Sequence, residues 1–497
     1  MKNKFYITTP IYYANAGPHL GHTYATIAGD VLARAHRLAG EATFFLVGTD
    51  EHGAKIQEIA QKAGKDPKDF VDQVAREFQD AWKLFGIEND CFIRTTDPAH
   101  IKAVEKALQT LYDSGDIYKG FYEGLYCVGC EQFKTENDLI DGLCPLHKQA
   151  PETMKEESYM FRLSKYQDVL LEKIKNDELV IIPETRKNEV VSFYENEGLK
   201  DVSFSRKNVS WGIPIPWETS HTAYVWADAF LSYLTGIGWD GTSGTAPEFW
   251  PADVHLLAKD ILRVHATIWP AMLLALNLPL PRTILIHGFF LVDGQKMSKS
   301  LGNVITPQQL SDRFGSDATR YLLMSATPFG NDSDVNWKRL DEHYNSDLAN
   351  GLGNLFQRVA TLIESNLDGE LIYKSEKLSS TRGVDILEFG KSFEQALENF
   401  ELHKAIELIW SIIAKANQYV DERKPWVETK ENPDGFLETM TTLVLMIHYI
   451  AWFLQPFMPE IAEKIVKIFG DDLSNKEIPE NYKFIVKKGG GLFPRIQ

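Results

Sequence analysis

Three consecutive runs near the start of the chain, KFYITTP, HTYATIAGDVLARAHRLAG and ATFFLVGTD, constrain the fold most. The first and third are rich in β-formers, and each ends in a polar turn. The run between them reads as an amphipathic helix closed by Gly40. Strand, helix and strand at this length imply a parallel pair joined by a crossover. Two later apolar runs, DVHLLAKD and RTILIHGFF, read as further parallel strands. They lie far down the chain, so the sheet is expected to be split by an insertion. The expected class is α/β, and 497 residues allow about two to four domains.

The insertion is expected to begin near Asp116. It holds three of the four cysteines and strand-like runs such as ELVIIPE and KDVSFSR. From Tyr344 the pattern changes to long helices. Leu348, Leu352, Leu355, Val359 and Leu362 fall on one helical face, and the segments Phe400 to Tyr419 and Phe436 to Phe453 repeat the habit. The segment YKSEKLSSTRG reads as a flexible loop. The expected division is 1–115 and 226–294 for the two halves of the sheet domain and 116–225 for the insertion. Residues 295–343 form a connecting region, and 344–497 an all-α bundle.

Lys plus Arg is 52 and Asp plus Glu is 69, a net charge of −17. That balance argues against general coating of nucleic acid or membrane, although a local basic patch can still bind a polyanion. The most apolar stretch, LVLMIHYIAWFL at Leu443 to Leu454, is about a third short of a membrane span and contains His448, so a buried helix is expected. The N-terminal MKNKFYITTPIYY has no apolar core of a signal peptide. A cytoplasmic protein without disulfides is the expectation.

Cys127 and Cys130 are three apart, as are Cys144 and His147. Two such turns present four donors to one tetrahedral ion, and three thiolates with one imidazole suit a closed, structural Zn2+. Cys91 has no such partner and reads as a small buried apolar residue.

Two stretches are suited to anions. NAGPHLGHTYATIAGD places Gly21 between His19 and His22 at a helix start, where free N–H groups and the dipole favour phosphate. The loop GQKMSKSLGN carries Lys296 and Lys299 as point charges, with hydroxyls on Ser298 and Ser300. Either stretch alone would pass for an ordinary cap or polar turn.

Together they are the paired signatures of class I aminoacyl-tRNA synthetases. FYITTPIYYANAGPHLGH, VGTDEHGAKIQ, VWADAFLSYL, KDILRVHATIWPAML and HGFFLVDGQKMSKSLGN resemble, in order, the methionyl-tRNA synthetase family, over Phe5 to about Trp426. The resemblance implies a Rossmann-type catalytic domain broken by a zinc-bearing connective insertion of the one-knuckle branch, then a helical anticodon-binding domain. It implies methionine, ATP with Mg2+, and tRNA(Met) as substrates, with a methionyl-adenylate intermediate. By the same resemblance His19, Gly21 and His22 act at the nucleotide and its α-phosphate. Lys296, Met297, Ser298 and Lys299 act at the outer phosphates. Asp50 pairs with the substrate ammonium, while Ile11, Tyr13, Trp226, Tyr233, Ile261 and His265 enclose the thioether. Asn354, Arg358 and Trp426 read the anticodon. Trp226 and Tyr233 are spaced two helical turns apart, which suits core packing as well.

The sequence departs from the commoner pattern at Ala258, Val264 and Val202. A sister enzyme for leucine, isoleucine or valine would carry a long editing insertion, for which the span of about a hundred residues is too short. A cysteine enzyme would place zinc at the amino acid. A non-catalytic tRNA-binding paralogue conflicts with the intact loops. The chain stops at GGGLFPRIQ, where many family members continue into a dimer-forming domain, so a monomer is expected.

Overall fold

The structure is a computed structural model that describes residues 4–129, 132–134, 139–207, 209–297, 302–373, 386–470, 473, 476–479, 481–487 and 489–496. The expected flexible loop lies almost wholly outside these residues. The chain forms two compact units. The first comprises 1–18, 40–83 and 87–287, and the second 19–39, 84–86 and 288–497.

The first unit is built on a six-stranded parallel sheet. Its strands are β1 (Lys4–Tyr13), β2 (Ala42–Asp50), β3 (Cys91–Arg94), β4 (Val180–Ile182), β5 (Val254–Ala258) and β6 (Thr283–His287), in the order β3-β2-β1-β5-β6-β4. The split sheet is therefore as expected. ELVIIPE differs: it reads as a strand of the insertion, yet β4 pairs with β6, Val180 beside Thr283. Its near-continuous apolar character is that of a parallel strand covered on both faces. The register of β1 against β2 shifts between Thr8 and Ile11. Pro10 sits at that shift, where a residue without an N–H cannot join the ladder. The shift sets Tyr13 opposite Asp50. Within the insertion, Ile117–Cys127 and Glu152–Phe161 form the centre of a four-stranded antiparallel sheet with Gln132–Lys134 and Val202–Ser203. Cys91 is half-buried against the core rather than fully enclosed, and burial pushes its thiol up to about 11.

The second unit contains the helix Leu20–Leu38, a three-stranded sheet of Phe290–Val292, Gln295–Lys296 and Ser333–Val335, and the helices of the bundle. Phe290–Val292 and Gln295–Lys296 are joined by Asp293 and Gly294, at φ 52° and 73°. Two positive φ values in a two-residue loop match the right-handed twist of a hairpin. The run RTILIHGFF thus serves two sheets, changing at Gly288, where a Cβ would come within 2.1 Å of the Asn331 carbonyl oxygen. The residues from Tyr344 to Gly353 wind as a π-helix before the α-helix Asn354–Leu367 begins. Four of the five stripe leucines and valines are fully buried. Leu362 is half-buried and Ile363 takes its place in the core. The apolar stretch around His448 lies in the helix Pro433–Leu454, most of which is buried.

A buried arginine ties this unit together. Arg320 pairs with Asp30 at 2.7 Å, both fully buried, and donates to the carbonyls of Phe85, Pro456 and Phe457. Each of its three nitrogens finds an oxygen acceptor, as burial of a guanidinium demands.

Candidate active site

The helix Leu20–Leu38 starts two residues earlier than its apolar periodicity suggests, because His19 is its N-cap. His19 Nδ1 accepts from the Gly21 N–H at 3.1 Å, and His22 Nδ1 accepts from the His19 N–H at 3.2 Å. The two imidazoles stack with centroids 3.8 Å apart. With both Nδ1 atoms accepting, the ring proton of each neutral imidazole sits on Nε2. A Cβ on Gly21 would stand 3.0 Å from His19 Cε1, so the glycine leaves space for the capping ring.

The same helix holds both flanks of the second signature. Before the loop, Phe290 packs edge-on to Tyr24 at 4.6 Å. After it, the Ile305 carbonyl accepts from the Leu20 N–H at 2.9 Å. Met297 is half-buried. Ser298, Lys299 and Ser300 lie outside the described residues, as does the side chain of Lys296.

In the first unit, Asp50 closes β2 and is 6% exposed. Its charge, after burial itself, raises the pKa of Tyr233. Tyr233 meets His265 Nε2 at 2.9 Å, and His265 Nδ1 meets the Ile261 carbonyl at 2.9 Å. A carbonyl only accepts, so Nδ1 carries the proton and Nε2 accepts from the Tyr233 hydroxyl. Burial lowers the His265 pKa to about 4, which keeps the ring neutral. Trp226 stacks on Phe230 at 5.2 Å and lies edge-on to His265 at 6.3 Å. Its indole N–H has no hydrogen-bond partner among the described residues. Ile11 and Tyr13 are half-buried on the β1 segment beside Asp50. Trp226 and Tyr233 do not share one helix: Val225–Ala229 and Ser232–Thr235 are separate short helices with a turn at Phe230 and Leu231. Ala258 ends β5 opposite His287, Val202 pairs with Phe161, and Val264 is half-buried against the core.

Several residues packed against these side chains escaped the sequence reading. Phe230 and Tyr233 both pack on Trp269, Tyr233 also packs on His255, and the Trp269 N–H is donated to His255, with Thr8 on the other ring nitrogen. Glu51 is fully buried and held by Arg94, Thr49 and Thr96. Asp228 lies between His52 and His100. The signal available was the charged residues of GTDEHG and the aspartate within the apolar run VWADAF, but spacing does not say which of them meet.

Cys127, Cys144 and His147 converge, with donor atoms within 4.8 Å of one another and both sulfurs 3.9 Å from His147 Nδ1. Zinc bonds of ordinary length at a tetrahedral angle would give about 3.6 Å. Both cysteines are buried, and a Cβ at Gly129 would stand 2.6 Å from the His147 ring. These residues fit a tetrahedral ion; Cys130 lies outside the described residues. A second trio, Glu157, Glu218 and His221, is equally close, but Lys119 bridges its two carboxylates at 3.1 Å each, so an ammonium already supplies the positive charge.

On the bundle, Asn354 is exposed and Arg358 lies one turn along the same helix. Arg358 pairs with Asp421 at 3.0 Å and sits 5.4 Å from the Trp426 ring centre. Trp426 is 46% exposed, so it is not a cap on the bundle core.

The sequence matches the family model described as tRNA synthetases class I (M) over residues 5–150 and 134–360. It matches the anticodon binding domain of methionyl tRNA ligase over 380–488. The methionine–tRNA ligase of Clostridium acetobutylicum is 44% identical over 505 residues, spanning all of this chain and 78% of its own length. That of Rickettsia felis is 43% identical, covering 95% of this chain and 93% of its own. A crystal structure of Mycobacterium tuberculosis methionyl-tRNA synthetase in complex with methionyl-adenylate matches with a TM-score of 0.93 at 36% identity, over the whole of both chains. Its apo form matches at 0.83 and 33%, over 100% of this chain and 99% of that one.

Proposed function

The chain belongs to the methionyl-tRNA synthetases of class I, and from that premise we propose how its own residues carry out the reaction. The activity is ATP-dependent ligation of L-methionine to tRNA(Met) through methionyl-adenylate, releasing pyrophosphate and then AMP. The observation that carries the assignment of roles is the helix Leu20–Leu38, which begins with two stacked imidazoles and anchors both flanks of the lysine loop.

The methionine carboxylate is ionised near neutral pH, so the first step needs no strong base. It needs alignment on the α-phosphorus and neutralisation of charge as pyrophosphate leaves. His19 and His22, with Nδ1 engaged, offer Nε2–H donors to the α-phosphate, and Gly21 keeps the cap open. Lys296 and Lys299, with Met297 and Ser298 between them, act on the outer phosphates as a cationic clamp. Mg2+ carried by ATP supplies the remaining neutralisation.

Asp50 receives the ammonium. Tyr233, held by His265, forms a neutral wall for the thioether with Ile11, Tyr13, Trp226 and Ile261. Neutrality matters here, because an imidazolium in this wall would favour water over sulfur. Zn2+ on Cys127, Cys130, Cys144 and His147 would brace the insertion. Asn354 and Arg358 read base edges, and Trp426 supplies a stacking face.

The test is amino-acid-dependent pyrophosphate–ATP exchange across all amino acids. Exchange with methionine alone supports the reading. Exchange with another amino acid would assign a sister enzyme, and none would point to a tRNA-binding paralogue. Lys296→Ala is expected to lower the exchange rate far more than the affinity for methionine; unchanged turnover would refute the clamp.

A further inference from the structure

Asp228 is 1% exposed, yet its carboxylate meets two imidazoles: Oδ2 lies 2.7 Å from His52 Nδ1, and Oδ1 lies 2.7 Å from His100 Nε2. His100 is fully buried and its Nδ1 lies 2.8 Å from the Thr235 hydroxyl. Burial opposes ionisation of Asp228, but the two histidines outweigh it and hold the carboxyl below the usual carboxylate range. An ionised carboxylate only accepts, so His52 Nδ1 and His100 Nε2 both donate. In a neutral ring, His100 Nδ1 then accepts from Thr235.

This chain of bonds joins three pieces of the first unit. His52 is two residues beyond Asp50. Asp228 is two residues beyond Trp226, and Thr235 two beyond Tyr233. His100 belongs to the helix Pro98–Asp113. On the other side of Asp50, Glu51 is fixed by two bonds from Arg94, at 2.6 and 2.9 Å, and by the hydroxyls of Thr49 and Thr96. Asp50 is thus followed by two anchored residues, and the aromatic segment 226–233 carries one anchor within it, Asp228, and another just past its end, Thr235.

We propose that Asp228, gripped by His52 and His100, is a positioning residue that sets the distance between the ammonium-binding and thioether-binding ends of the methionine slot. The inference rests on the roles given above to Asp50, Trp226 and Tyr233. Apolar contact alone would let the loop 50–53 and the segment 225–235 slide by an ångström at little cost. A buried carboxylate with each oxygen satisfied does not slide, because losing either bond leaves a desolvated charge unpaired. None of the three residues needs to touch substrate.

The test is methionine-dependent pyrophosphate–ATP exchange by His100→Ala, His100→Gln and Asp228→Asn in the full chain, with melting measured alongside. Glutamine retains an N–H donor for Asp228 and alanine does not. His100→Ala is expected to raise the KM for methionine at least tenfold while the KM for ATP stays within about twofold, and His100→Gln to restore most of the loss. Asp228→Asn is expected to behave as His100→Ala if it folds. A folded His100→Ala with unchanged methionine KM overturns the proposal, as do parallel rises in both KM values or failure of glutamine to rescue. Absence of methionine-dependent exchange in the unaltered protein would instead overturn the functional reading on which the proposal stands.

Discussion

At His19, by the role proposed above, one side chain serves structure and chemistry at once. Its Nδ1 caps the helix and thereby commits the other nitrogen to carrying the proton. Gly21 is required by that arrangement, since an added Cβ would press on the ring at 3.0 Å. Gly21→Ala is therefore expected to tilt His19 and lower the exchange rate roughly tenfold, a lost transition-state donor. The KM for methionine should change less than twofold. A normal rate would show that the cap orientation is immaterial. The place of His19, Gly21 and His22 at a helix start was legible in the sequence. The stacking of the rings was not, because it depends on rotamers set by the capping bonds.

Asp317 carries a pH dependence at the level of elements. It opens the helix Ser316–Ser325, and its Oδ2 accepts from the Ile461 N–H, at the start of the helix Pro459–Phe469, at 2.6 Å. Burial raises its pKa to about 6. An unfolded aspartate titrates near about 3.9, so the folded chain holds this proton more tightly. The group accordingly favours the fold as pH falls from about 6 towards about 4, and its buried charge costs roughly 3 kcal/mol above pH 6. Asp317→Asn is expected to stabilise the protein relative to the parent at pH 8, with the gain falling to about a third of that value near pH 4.5. Urea unfolding at the two pH values reads this directly; a gain independent of pH would assign the effect elsewhere. In the bundle, Trp426→Ala is expected to reduce tRNA charging roughly 10- to 100-fold, the range of one lost stacking contact. Pyrophosphate exchange should hold within twofold, and equal loss in both assays would mean a folding defect. The long bundle helices Leu402–Arg423 and Pro433–Leu454 were legible from their apolar faces. The π-helical turns at 344–353 were not, and they move the stripe from Leu362 to Ile363.

For the molecule as a whole, we propose that a Zn2+ held where Cys127, Cys144 and His147 converge braces the insertion. Stripping Zn2+ with a chelator is expected to release one ion per chain and to lower the melting temperature. Unchanged melting with no metal by elemental analysis would remove the knuckle from the account. What the sequence determined alone was local: the periodicity of β1, β2 and the first helix, the helix start at His19, and the closeness of Cys127, Cys144 and His147. Each follows from residue types at short spacing, which backbone geometry converts directly into a shared face or a cluster of donors. Only the tertiary structure decided that β4 leaves the insertion to pair with β6, that Arg320 closes on Asp30, and that Asp228 lies between His52 and His100. Those partners are between about 100 and 300 residues apart. Their meeting is chosen by burial, which forces every desolvated charge to find a donor somewhere in the fold, however distant along the chain.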